Sequence, residues 1–65
     1  MNVVEHYILE IHSVKDISDE VKFPHKNRVL EVDMTFDCYG VVSRDQLLFM
    51  EPEFEEILQK GYFLN

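Results

Sequence analysis

From position 30 to position 38 apolar and polar residues alternate without a break. Leu30, Val32, Met34, Phe36 and Cys38 are apolar, and Glu31, Asp33, Thr35 and Asp37 between them are polar. Successive side chains of a strand point to opposite faces, so this run predicts a strand with one buried and one wet face. One-sided burial of this kind suits an antiparallel sheet. Tyr39-Gly40 then reads as a turn, in which glycine supplies backbone freedom, and residues 41–49 as a return strand. A helix competes for this stretch. Ser43 followed by Gln46 imitates a capping box, and Leu47, Met50, Phe54, Ile57 and Leu58 keep helical spacing. Pro52 decides against it, because inside a helix it would cost about 3 kcal/mol.

The segment EPEFEEILQKG predicts a short helix. Pro52 suits its first positions, Glu53, Glu55 and Glu56 complement the positive end of the helix dipole, Lys60 complements the other end, and Gly61 stops it. Phe54, Ile57 and Leu58 form the stripe that would lie across a sheet. Upstream, residues 3–12 place Val3, Tyr7, Leu9 and Ile11 on one strand parity, interrupted at Glu5, with a mixed set opposite: Val4, His6, Ile8, Glu10 and His12. This predicts a further strand. Residues 13–27 read as a loop anchored by Ile17, Val21 and Phe23, the most mobile segment, with Pro24 ending any helical turn begun at Ser18. Tyr62, Phe63 and Leu64 read as a tail folding back to extend the core. The expectation is an α+β fold: a small antiparallel sheet, of three strands rather than two, with one C-terminal helix on one face.

Size and charge narrow the picture. A chain of 65 residues makes one small domain. Its 46% hydrophobic content, with five Phe and three Tyr, argues against disorder despite the charge. Thirteen Asp and Glu against six Lys and Arg give a net charge of −7, which disfavours direct nucleic-acid binding. The one basic cluster, KFPHKNR, is short and reads as a solvated loop. A single cysteine forms no internal disulfide, so a reducing cytoplasm is the expected home. No apolar run approaches a membrane span, and the N-terminal stretch, without a basic region ahead of its apolar residues, is not expected to act as a signal peptide.

Little in the sequence points to catalysis. Cys38 has Asp37 and Tyr39 as neighbours, but these point to the other strand face, and an adjacent carboxylate disfavours a thiolate. His6 and His12, with Glu10 between, share a parity but stand about 20 Å apart along an extended strand, too far to hold one ion. Two distant glycines make no phosphate loop. No catalytic, cofactor-binding or metal-binding residue is therefore assigned, and an enzyme of metal- or thiol-dependent type is the least favoured expectation. Glu31, Asp33 and Asp37 form an acidic row, with Asp45 joining from the next strand. With the helix acids Glu53, Glu55 and Glu56 they are the candidate partner-binding residues. They suggest a cytoplasmic interaction or regulatory module of bacterial or phage type that docks a basic protein; a nucleic-acid mimic is the alternative. The small core also raises the option of a homodimer that would bury exposed sheet edges.

Overall fold

The computed structural model describes residues 3–65. It is an α+β fold of four antiparallel strands and one helix: β1 (Glu5–Asp16), β2 (Val29–Cys38), β3 (Val41–Met50), α1 (Glu51–Lys60) and β4 (Tyr62–Leu64). The strand order in the sheet is β3-β2-β1-β4. The fold class is as the sequence predicts, with one strand more. The supposed tail Tyr62–Leu64 pairs with Glu5–Tyr7, so it extends the sheet as well as the core.

Strand β2 behaves as its alternation requires. Val32 and Met34 are fully buried, Leu30 and Phe36 nearly so, and the intervening polar residues are half-buried on the other face. The core cluster adds Phe49 from β3, Phe54 and Ile57 from α1, and Phe63 from β4. Leu58, expected in the helical stripe, is half exposed. The helix itself has the expected punctuation. Pro52 stands in its first turn, and Gly61 is left-handed at φ 83°, its N–H bonded to the Ile57 carbonyl at 2.8 Å. The β2–β3 turn has positive φ at both Tyr39 (51°) and Gly40 (87°), the primed geometry that matches strand twist.

Strand β1 departs from expectation twice. It runs through Ser13–Asp16, which pair with Asp33–Leu30, so the loop is shorter than its polar composition implied. Its core-facing positions also follow no single parity. Tyr7 and Leu9 are exposed, while Ile8 and Ile11 pack against the core. The register explains why: Ile8 faces Phe36, Ile11 faces Met34 and Val14 faces Val32, with register shifts between Ile8 and Glu10 and between Ile11 and Ser13. Each shift inserts one residue, so core-facing positions recur every third residue in β1 against every second in β2. A bulge adds local twist and bend to its strand.

That bending shapes the whole sheet. Phe49 pairs with Leu30 at one end of β2, and Phe63 pairs with His6 at the far end of β1. Across a flat sheet these corners would stand three strand spacings apart, about 14 Å, and farther still along the strands. Yet their ring centroids are 5.6 Å apart, edge to face. Phe63 also meets Phe36 at 5.4 Å and His6 at 5.1 Å, and Phe49 meets Phe54 at 6.2 Å. The sheet is therefore strongly coiled, and α1 fills the gap between its approaching edges.

The loop between β1 and β2 is held chiefly by polar contacts. Of its three expected apolar anchors only Ile17 is buried; Val21 is half-buried and Phe23 exposed. The Asp16 carboxylate accepts from the Ser18 N–H (2.9 Å), the Ser18 hydroxyl (2.6 Å) and Arg28 (2.7 Å), and the Ser18 oxygen accepts from the Val29 N–H (2.9 Å). The Ser18 hydroxyl and N–H, then Arg28, hold the Asp16 carboxyl down to about 2. His25 adds ring-nitrogen contacts to the carbonyls of Asn27 (2.9 Å) and Ser18 (3.1 Å).

Candidate functional site

The six predicted partner-binding acids do not share one surface. Glu31, Asp33 and Asp37 alternate with the buried residues of β2 and so lie on the face away from α1, whereas Glu53, Glu55 and Glu56 belong to the helix on the core side. The sheet row is also largely engaged. Arg44 grips Asp33 with two bonds of 3.0 and 2.9 Å, which lowers the Asp33 carboxyl below the ordinary carboxylate range. Asp37 accepts the Gly40 N–H at 2.8 Å and so serves the turn. Glu31 is flanked across the strands by Lys15 and Leu48. On the helix, Glu56 pairs with Lys60, whose ammonium lowers the Glu56 carboxyl.

A second constellation, not foreseen from the sequence, lies on the outer face. His12 Nε2 is 2.7 Å from the Thr35 hydroxyl, and His12 Nδ1 is 3.8 Å from Glu10. A hydroxyl, imidazole and carboxylate in line imitate a catalytic triad. The setting does not support acyl transfer. Thr35 lies midway along an interior strand flanked by β1 and β3, not at a turn or helix start where free N–H groups could hold an oxyanion. Among the described residues no three His, Cys, Asp or Glu side chains are grouped to hold a metal ion. Cys38 is a half-buried free thiol at the end of β2. The basic cluster of the loop is partly spent on structure, with Arg28 bound to Asp16 and His25 to backbone carbonyls.

The outer edge of β3 is open along its length, while the other long open edge, β1 beyond its pairing with β4, is interrupted by two register shifts. Strand β3 has β2 on one side only, and residues 41–46 and Leu48 are exposed. The two-residue turn fixes which backbone groups face outward. Closure by the Cys38–Val41 pair directs the odd-numbered residues of β3 toward β2, leaving the N–H and C=O of Val42, Arg44, Gln46 and Leu48 at the free edge. One outward donor is covered within the chain: the Gln46 N–H is bonded to the Asp45 carboxylate at 2.8 Å. Asp45 pairs with the buried Met34 and so projects on the core side of the sheet, at its open rim. An inward charge on an edge strand is a device against uncontrolled pairing.

Beside the C-terminal half of this edge lies a groove of about 360 Å³, bounded by Leu47 and Leu48 of β3, Glu53, Glu56 and Lys60 of α1, and Leu64 of β4. The coiling that joins Phe49 to Phe63 creates it, by turning the two sheet edges toward one another. Sequence reading overlooked this place because it depends on strand order. The signal that was present is the Tyr39-Gly40 turn, which sets the outward residues of β3 once that strand is known to be an edge.

No family model, curated protein or solved structure matches this chain. Among the described residues no helix is long and apolar enough to cross a membrane.

Proposed function

We propose that this protein is a small, non-enzymatic interaction module that docks a basic protein partner in a reducing cytoplasm. The observation that carries this reading is the long unpaired β3 edge beside a partly apolar groove flanked by Glu53 and Glu56. Unpaired strand edges recruit other chains, and a net charge of −7 selects positively charged ones over polyanions. The single free cysteine fits a compartment that keeps thiols reduced. The division of the acids between two sides favours docking over nucleic-acid mimicry, which needs carboxylates in one continuous row.

The test is capture of cross-linked partners from the source cell by the full chain, compared with the double variant Glu53→Lys/Glu56→Lys and with Glu31→Lys. Selective loss of a basic partner with the helix variant supports docking at the groove. Capture unaffected by charge reversal at either place would rule out acidic docking.

A further inference from the structure

We infer that the partner adds an extended, lysine- or arginine-bearing segment to the free edge of β3 as a fifth strand, antiparallel to it; this rests on the docking reading above and names its geometry.

The backbone sets the register. Val42, Arg44, Gln46 and Leu48 offer outward N–H and C=O groups, and in an antiparallel ladder a residue opposite each of them exchanges both bonds with it. Side chains directly opposite share a face. Those facing Val42 and Leu48, which are 60% and 53% exposed, therefore meet apolar surface on the outer side of the sheet. Those facing Asp45 project on the core side. There a cation opposite Asp45 draws its carboxylate away from the Gln46 N–H and releases that donor to the incoming strand. Farther along, the same side of the added strand approaches Glu53 at the groove, where Glu56 is already paired with Lys60. The chemistry that fits is a strand alternating apolar and basic residues.

A second copy of this chain fits poorly. Antiparallel pairing of β3 with itself runs about a two-fold axis that keeps each residue on its own face. Centred on 44 it opposes Arg44 to Arg44, and centred on 45 it opposes Asp45 to Asp45 at the close Cα spacing of about 4.5 Å. Centred on 46, it requires the Gln46 N–H of both copies, which Asp45 covers in each. Like charges placed directly opposite destabilise a pair.

The probe is a capped nonapeptide alternating valine with lysine. Its controls are a glutamate-for-lysine version and a version N-methylated at every valine, read by amide NMR and hydrogen exchange on the full-length chain. Saturating lysine peptide slows exchange at Val42, Arg44 and Leu48 about tenfold or more, a direct sign of new backbone pairing. The glutamate and N-methylated peptides leave these amides unchanged. Val42→Pro, which removes an outward N–H and no β2 bond, weakens binding; the N-methylated peptide makes the same test without altering the protein. Binding that survives valine N-methylation, or that perturbs only Glu31 or Glu55, overturns the edge geometry and leaves acidic docking standing. A concentration-dependent doubling of mass with β3 amides protected in the absence of peptide assigns the edge to a second copy and also overturns it. No response of the β3 amides to the lysine peptide overturns it too, while acidic docking is still decided by the charge-reversal capture.

Discussion

Strands β2 and β3 are equal in length, joined by the tightest of turns and paired residue for residue, yet they meet water in opposite ways. Five of the ten residues of β2 are buried, against only Phe49 in β3. Composition does not explain the contrast, since VVSRDQLLFM is no more polar than VLEVDMTFDC. Position does. An interior strand has neighbours on both sides and sends Leu30, Val32, Met34 and Phe36 into the core, whereas β3 has one neighbour and enters the buried core only through Phe49 near its end. Stability is therefore concentrated in β2, and β3 is the strand with surface to spare.

The sharpest break of this contrast is a matched pair of truncations across one rung. Met34→Ala is expected to lose about 2–5 kcal/mol in a denaturant titration, because it opens a cavity in the core. Asp45→Ala, directly opposite, changes stability by about 0.5 kcal/mol or less. Equal losses at the two positions would show that β3 supports the fold as β2 does. Phe49→Ala tests the exception within β3. Its ring contacts with Phe54 and Phe63 predict a loss of about 3–5 kcal/mol by thermal or chemical unfolding. A smaller gain follows at the turn, where Tyr39 holds a left-handed conformation that asparagine adopts more readily. Tyr39→Asn is expected to raise stability by about 1 kcal/mol, and a loss instead would mean that the Tyr39 ring packs usefully despite its exposure.

The smallest effect concerns the ion pair that ties the two strands. Arg44 keeps the Asp33 carboxyl below its ordinary value, so the contribution of this pair is fully present above the ordinary carboxylate range. It disappears as pH falls through the lowered value. Arg44→Ala should abolish the low-pH displacement of the Asp33 titration seen by carbon NMR, with little change in the unfolding midpoint, as exposed pairs contribute little. An unchanged Asp33 titration would contradict the contact.

What could be read in the sequence follows from the same contrast. The alternation in β2 was legible because a regular strand with one buried face leaves a period of two. Strand β3 was recognisable once Pro52 confined the helix to the residues after Met50. In β1 two inserted residues change the spacing of core positions from two to three, so Tyr7 and Leu9 looked like core and Ile8 did not. The strand residues Ser13–Asp16 looked like loop because their partners, not their own propensities, keep them extended. Of the candidate acids, Glu53, Glu55 and Glu56 are exposed, whereas Glu31, Asp33 and Asp37 are half-buried between neighbouring strands. Their division between the two sides depends on which face receives α1, and local spacing does not encode that.

The meeting of Phe49 with Phe63 has a mechanical consequence. Rings from the two outermost strands brace each other, so the curl of the sheet acts as a clasp and neither rim can flatten without disturbing the other. Seating a strand along β3 would strain that clasp, and the ring-current-shifted resonances of Phe63, three strands away, would register the event.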